Sequence, residues 1–308
     1  MAGIEPAVTI AICSNRPERL SMAVPRLAAA ARRDDHLLIV FDGLLGDADA
    51  ILTEHASPGR ARLVSNETNR GLAYSRNRVM KECQTRHVIF VDDDVVIGSE
   101  VIEAIRASLA RGAAVVGARV IADLGGRARP WHVTSGQLHY LGAHPPRGAV
   151  SIWGACMAVD IETARLLGVE FDEALGRVGA TLCSAEDTTF VRAMVARGAR
   201  QETLADASVR HLVDPGRLRL AYLVRRSYWQ GRSEARRGDA LHGLRKEWAR
   251  NAAADAPSVQ RIALAALYTA SVIAGIAVEL LRPGRSRNVA GPLTPPGPAH
   301  SASAATRP

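Results

Sequence analysis

The sequence predicts an α/β protein built on a doubly wound, mostly parallel sheet and continued by a C-terminal helical extension. Three observations carry this. Short β-rich apolar runs alternate with helix-like patterns through the first half of the chain, at the spacing of successive strand-helix units. The most buried of these runs, residues 88–91 in "HVIFVDDDVVIGSE", leads straight into three carboxylates. Beyond residue 212 the strand patterns give way to a basic segment and then to an apolar one.

Each element follows from its own residues. "AVTIAIC" is a short apolar run, and Pro17 then opens a helix pattern with Leu20, Val24 and Leu27 on one face. "HLLIVFDG" reads as the second strand, ending in a polar turn, and "ARLVSN" as the third. "GLAYSRNRVMKEC" reads as a helix and "RHVIFVDDD" as the fourth strand. In sheets of this kind ligands sit beyond the carboxyl ends of the strands, where Asp42, Asp92, Asp93 and Asp94 fall. A helix follows from about Ser99, with Val101, Ile102, Ile105 and Leu109 at helical spacing. Residues 125–148 hold many turn formers and three histidines, and read as loops and irregular strands laid over the site. "SIWGACMAVD" resumes strand character, and Asp160 caps a helix through "IETARLL" that stops at Gly168. A last clear helix, residues 188–197, sets Phe190, Met194 and Val195 on one face and ends at Gly198.

With 308 residues, 47% hydrophobic and 23% charged, the chain can bury a full-sized core as one large domain or two small ones. Cys13, Cys83, Cys156 and Cys183 stand far apart with no CxxC pair, so neither a disulfide framework nor a zinc site is expected, and a reducing cytoplasm is the expected setting. "MAGIEPAVTIAICSNRP" has no basic region ahead of an apolar run, so no signal peptide is expected. The net charge of +8 is uneven, for residues 216–251 carry ten Arg or Lys against three acids. Such a patch either is a solvated helix face or attracts something anionic: a phosphorylated ligand, an anionic membrane surface or a nucleic acid. Residues 262–281 are twenty residues with a single charge, Glu279, long enough to span a bilayer core. Their many alanines, with Thr269, Ser271 and Gly275, make a marginal span. Two fates stay open for this segment: membrane association, by insertion or by lying in the interface, and packing on the catalytic domain or on a second subunit of a homodimer. Residues 283–308, rich in Pro, Ala and Ser, are expected to be disordered.

Three adjacent carboxylates at the end of a buried strand raise one another's pKa and resist burial unless a cation neutralises them. In an extended chain Asp92 and Asp94 point to one side and Asp93 to the other. Oxygens so placed suit Mg²⁺ or Mn²⁺, which takes its remaining ligands from phosphate and water; a surface acidic loop is the bland alternative. Upstream, "NRGLAYSRNR" puts Arg70, Arg76 and Arg78 around a helix start, where backbone N–H groups and guanidinium forks favour phosphate. Downstream, "SAEDTTFVRAMVARG" places Glu186 and Asp187 just before a helix, as a general base or as helix caps.

In the order "TIAICSNRPERL", "LLIVFDG", "NRGLAYSRNR", "HVIFVDDDVV", "WGACMAVD", "GVEFDEALG", "AEDTTFVRAMVARG", residues 6–212 resemble the GT-A family 2 glycosyltransferases, the large inverting group. The resemblance implies transfer of a sugar from a nucleotide-diphosphate donor, UDP-linked, to an acceptor hydroxyl with inversion, with Mg²⁺ or Mn²⁺ as cofactor. It implies that Asp42 accepts from the nucleotide base and that Arg76 faces the diphosphate. Asp92, Asp93 and Asp94 would form a DXD-type motif, with Asp94, joined by Asp92, at the metal and Asp93 nearer the ribose or sugar. Asp187 would take the acceptor proton, with Glu186 beside it. His211, in "SVRHLVDPG", would complete the metal site, and Trp153 would help wall the sugar and acceptor pocket. The chain then divides into a catalytic domain at 1–212, with a donor half to 124 and an acceptor half from 125, a basic helical segment at 213–260, an apolar helix at 261–282 and the tail. The second strand ends "FDG" where the family usually carries two acids. The acceptor, whether lipid, polysaccharide, peptide or small metabolite, is not named by any motif.

Two rival functions use some of the same parts. A sugar-phosphate nucleotidyltransferase would show a Gly-rich phosphate loop after the first strand, and "CSNRPERL" has no glycine. A non-catalytic nucleotide-sugar or nucleic-acid binding module would rely on the basic segment. Against nucleic acid, aromatic residues are only 4% and Tyr222, Tyr228 and Trp229 sit in an amphipathic helix pattern rather than on a stacking platform.

Overall fold

The computed structural model describes residues 6–44, 61–145, 148–252 and 259–282; the tail at 283–308, expected to be disordered, lies outside the described residues. The donor half follows the predicted alternation: β1 (Thr9–Ser14), α1 (Pro17–Ala30), β2 (His36–Phe41), β3 (Ala61–Ser65), α2 (Leu72–Glu82), β4 (His87–Val91), a two-residue β5 (Val95–Val96) and α3 (Ser99–Ala110). Next come β6 (Val115–Asp123), β7 (Cys156–Asp160), α4 (Ile161–Leu166), α5 (Glu186–Ala196) and β8 (Gln201–Leu212). Three helices close the chain: α6 (Leu220–Arg236), α7 (Ala240–Ala252) and α8 (Val259–Leu280).

One eight-stranded sheet runs in the order β3-β2-β1-β4-β7-β6-β8-β5. The first four strands are parallel, so β1, β2 and β4 end at one edge with Ser14 beside Phe41. β7 runs antiparallel to both β4 and β6, and β5 runs antiparallel to β8. Alternation along each strand divides the core: Ile10 and Ile12 pack with Leu20, Val24 and Leu27 of α1 on one face, while Ala11 packs with Val79 and Phe190 on the other. A third cluster joins Val133, Leu138 and Tyr140 to Leu223, Leu264 and Tyr268. The packing therefore does not break at residue 212, because the helical extension completes the core under the 133–141 loop.

Several expectations are corrected. β6 and β8 are two strands beyond those expected: β6, "VVGARVIAD", is apolar and mostly buried, whereas β8 has most of its residues partly or fully exposed, so its alternation is polar. α5 begins at Glu186, which puts Glu186 and Asp187 inside its first turn rather than before it. Among the described residues of 125–148 there is no strand. Instead Thr134 and Gln137 cap each other at the start of a 3₁₀ turn, Ser135–Leu141. β4 stops at Val91 and the three aspartates form a turn, with Val95 N–H bonded to Asp92 O at 3.0 Å. The strict strand alternation expected of their side chains is therefore lost.

Candidate active site

Asp92, Asp93 and Asp94 leave the carboxyl end of β4 and enter a cleft of about 820 Å³. Asp42, Arg76, Trp153, Glu186, Asp187 and His211 line the same cleft, so the nine residues to which the resemblance gives roles converge there. Arg70 and Arg78 do not line it: Arg70 lies over the Tyr74 ring, and Arg78 donates to Ser65 O and Asn66 Oδ1 at 2.6 and 2.7 Å.

Each aspartate of the turn meets a cation from elsewhere in the chain, and Asp93 and Asp94 share Arg19. Asp92, about a third exposed, accepts from Arg76 at 3.2 Å. Asp93 accepts from Ser14 Oγ and from Arg19 at 3.2 Å, and burial with Asp94 alongside pushes its carboxyl up. Asp94 is buried against Arg19 at 2.6 Å, Arg217 at 3.2 Å and His211 Nε2 at 3.2 Å. Burial alone would raise its pKa, but the His211 hydrogen bond and the two guanidinia outweigh this and hold the carboxyl well below the usual range. Arg19 and Arg217 were not singled out in the sequence. Arg19 has a local signal, since it lies in the first turn of α1 just after β1; Arg217 has none.

His211 reaches Asp94 because β5 pairs with β8 in the register Val95 to His211, and Leu212 N–H bonds Asp94 O at 2.7 Å. Asp94 Oδ1 and His211 Nε2 thus present a hard oxygen and an imidazole nitrogen 3.2 Å apart, a donor pair that suits Mg²⁺ or Mn²⁺. His211 Nδ1 is buried without a hydrogen-bond partner, and Nε2 also lies 3.1 Å from Arg217 Nη1. Among the described residues no three His, Cys, Asp or Glu side chains gather into a cage. A two-donor site leaves the other coordination positions to ligand oxygens and water.

Arg76 lies at the centre of the floor. It donates to Glu186 Oε1 at 2.9 Å and to Asp92 Oδ1 at 3.2 Å, and is fully buried. A Cβ at Gly154 would collide with its guanidinium, so glycine is what lets Arg76 pass. Arg76, which the resemblance sets facing the diphosphate, lines the cleft while paired with two carboxylates. Asp42 is similarly engaged: it accepts from Asn66 Nδ2 and from the backbone N–H groups of Arg70 and Gly71, each at 2.8 Å, which ties the turn before α2 to the end of β2.

Ala185, at the N-terminus of α5, has φ of 83°, the one positive φ of a non-glycine among the described residues. Such a conformation costs on the order of 1 kcal/mol and marks a site held by its surroundings. Beyond it Asp187 Oδ2 accepts from Gly154 N–H at 2.8 Å, and Oδ1 from Thr188 N–H at 2.6 Å. Glu186 is buried, with Oε2 unpartnered. Burial, and then the charge of Asp187, push its carboxyl up to about 7 despite Arg76. Trp153 stacks flat on His144 at 3.9 Å, and His144 is fixed by Val120 N–H at 2.9 Å and Ser151 O at 2.9 Å. Burial lowers the His144 pKa to about 4, so a neutral ring supports the Trp153 wall.

The basic segment is divided between two tasks. Arg232 and Arg236 of α6 clamp Glu279 of α8 at 2.7 and 3.0 Å, whereas Arg217, Arg225, Arg226, Arg237, Lys246 and Arg250 line the cleft. A side chain at Gly231 or Gly275 would strike the backbone of the opposite helix, so α6 and α8 cross in close contact. Tyr268 OH donates to His132 O at 3.1 Å. α8, long and apolar enough by length and composition to cross a membrane, is thus docked along one face.

Residues 9–160 match the family described as Glycosyl transferase family 2. Succinoglycan biosynthesis protein ExoM of Rhizobium meliloti (strain 1021) is 27% identical over 248 residues, 78% of either chain. Among solved structures, the mannosyltransferase PcManGT from Pyrobaculum calidifontis, in complex with GDP-Man and Mn²⁺, aligns with a TM-score of 0.58 at 17% identity, over 91% of this chain and 88% of its own. S. aureus TarS 1-349 in complex with UDP-GlcNAc aligns with a TM-score of 0.53 at 17% identity, over 86% of this chain and 72% of its own. At such identities the structural likeness speaks for the fold alone. Family, relative and fold agree, and the chain belongs to glycosyl transferase family 2 as a glycosyltransferase of GT-A fold.

Proposed function

We propose that this enzyme transfers a sugar from a nucleoside-diphosphate sugar, UDP-linked, to an acceptor hydroxyl with inversion at the anomeric carbon. The observation that carries the proposal is the meeting, in one cleft, of the carboxylate turn after β4 with the Glu186 and Asp187 pair that opens α5. Asp187 is the base. Its Oδ2 is aimed by Gly154 N–H and keeps a lone pair. That oxygen takes the acceptor proton while the acceptor oxygen bonds the anomeric carbon and the bond to the diphosphate oxygen breaks. Glu186 and Arg76 are positioning residues, since Arg76 links the base turn to Asp92. Asp94 and His211, with Asp92 at the rim, are the residues that would hold Mg²⁺ or Mn²⁺. When bound, such an ion offsets the negative charge that builds on the departing diphosphate. Asp42 shapes the donor end, Asp93 lies near the ribose or sugar, and Trp153 walls the sugar and acceptor side.

A panel of UDP and GDP sugars, incubated with full-length protein and Mg²⁺ or Mn²⁺, tests this through slow hydrolysis that needs no acceptor. Release of nucleoside diphosphate, abolished by chelator, is expected. Release of pyrophosphate would indicate nucleotidyl transfer instead, and a protein that binds none of the panel would be a different kind of module.

We also propose that the enzyme works at the cytoplasmic face of a membrane, lying on it rather than spanning it. The docked face of α8 carries the Glu279 ion pairs, while Ile262, Ile273, Val278 and Leu280 are exposed. On α7, Leu241 and Trp248 are exposed along with Arg245, and its acid, Glu247, is buried. Apolar side chains mixed with cations suit an anionic interface. Full-length protein should sediment with vesicles containing anionic lipid; recovery entirely in the supernatant would count against it.

A further inference from the structure

Arg226 of α6 is buried, 7% exposed, and reaches the cleft, yet among the described residues no carboxylate lies within ion-pair distance of it. Its partners are neutral: Gln230 Oε1 at 3.1 Å, Ser184 Oγ at 3.0 Å and the face of Tyr140 at 5.5 Å. The other deeply buried arginines are compensated, Arg76 by Asp92 and Glu186 and Arg106 by Asp35 at 2.8 Å. Removing a guanidinium from water without a counter-charge is costly. Burial and the nearby Arg177 accordingly pull the Arg226 pKa down.

Three further arginines on the cleft lining, Arg16, Arg177 and Arg225, also lack a carboxylate within ion-pair distance among the described residues, though none of them is buried as Arg226 is. Arg225 donates to Ala180 O at 2.7 Å and Arg177 lies close enough to Arg226 to repel it, and neither has a carboxylate partner among the described residues. By contrast Arg19, Arg76 and Arg217, around the aspartate turn, are all committed to carboxylates. Arg226, the buried one, belongs to a definite end of the site. Ser184, the partner of Arg226, stands two residues before Glu186 and three before Asp187, and Ser233 of α6 accepts its N–H at 3.0 Å. The buried arginine without a carboxylate is therefore on the side of the cleft that holds the Glu186 and Asp187 pair.

We propose that Arg226, with Arg177 and Arg225, forms an anion subsite that receives a phosphate or diphosphate ester carried by the acceptor. This rests on the glycosyl-transfer reading of the cleft and adds the acceptor's chemical class to it. Several guanidinia on one cleft wall, with Arg177 close to Arg226, match the two or more charges and the fork geometry of a phosphate ester better than the single charge of a carboxylate. Filling the subsite gives Arg226 the counter-ion that the protein withholds.

The test uses full-length protein saturated with UDP and Mn²⁺, so that the donor site is closed, and titrates it with octyl phosphate, methyl glucuronide and neutral octyl glucoside by calorimetry. Octyl phosphate should bind, octyl glucoside should not, and Arg226→Met should weaken octyl phosphate tenfold or more while leaving UDP affinity within twofold. Arg225→Gln and Arg177→Gln, at more accessible positions, should each weaken it several-fold, and they keep the test open if Arg226→Met does not fold. Equal octyl phosphate affinity in wild type and variants overturns the subsite. Tighter binding of methyl glucuronide overturns the phosphate class, and a parallel loss of UDP affinity would assign Arg226 to the donor. A wild type that binds no nucleotide faults the glycosyl-transfer reading instead, and octyl phosphate titrated alone then still reports on the arginines.

Discussion

Arg76 and Arg226 are both buried and both reach the cleft, but opposite conditions surround them. Arg76 has Asp92 on one side and Glu186 on the other, and although burial works against its charge, these carboxylates hold its pKa above the ordinary arginine value. Arg226 has an amide, a hydroxyl and a ring, and its pKa is drawn down. The wall around Arg76 is electrostatically complete before any ligand arrives, so its charges position other groups. The wall around Arg226 is incomplete, which is the condition under which a ligand's charge gains most on binding.

The widest separation of the two walls should appear in the kinetics of Asp187, which lies between them in the chain. Asp187→Asn keeps the side chain's size, and kcat for transfer should fall by roughly 10² to 10⁴ while donor affinity changes by less than about tenfold. Donor affinity lost in step with kcat would place Asp187 on the donor wall and blur the division. Next in size is a stability contrast read from urea denaturation. Arg76→Met leaves Asp92 and buried Glu186 without their cation and should cost about 3–5 kcal/mol. Arg226→Met removes a charge that has no partner to strand and should stay within about 1 kcal/mol of wild type. Similar losses in both variants would mean that Arg226 is compensated after all.

A smaller effect is expected at the metal donors. Asp94→Ala should weaken UDP binding in Mn²⁺ by at least about tenfold and make it insensitive to chelator; unchanged affinity would remove Asp94 from that role. The smallest effect concerns pH. Glu186, raised from 4.5 to about 7, binds its proton more tightly in the folded than in the unfolded chain across that interval. Its contribution to stability is therefore complete below about pH 4.5 and is lost as pH rises through about 7. The stability of wild type relative to Glu186→Gln should decline over that window. A rising difference would show that the ion pair with Arg76 outweighs burial.

How far the sequence could be read depended on the range of the interactions involved. β1, β2, β4 and the helices between them were legible because apolar alternation and caps such as Pro17 and Asp160 are local. The run of three aspartates after β4 and the Glu186 and Asp187 pair were legible because charge beside a buried run is conspicuous, although the turn that the aspartates form was not. Strand β8 was not, since a strand with most of its residues exposed and polar has little to distinguish it from a loop. The stacking of His144 under Trp153 was hidden for another reason. The two lie nine positions apart in the sequence, and no spacing rule brings such a pair together.

The sequence by itself determined the parallel donor half, the acidic turn at its edge, the acid pair at a helix start and the amount of positive charge in the C-terminal segment. Tertiary structure decided which charges meet. Pairing of β5 with β8 carries His211 to Asp94, and the docking of α6 sends Arg226 into the cleft while Arg232 and Arg236 turn to Glu279. Composition fixes how many charges of each sign a chain carries, whereas their pairing is set by contacts between residues about forty to more than a hundred positions apart, from Arg232 and Glu279 to Asp94 and His211. The arginines left over once those contacts have formed are the ones with charge to offer a ligand.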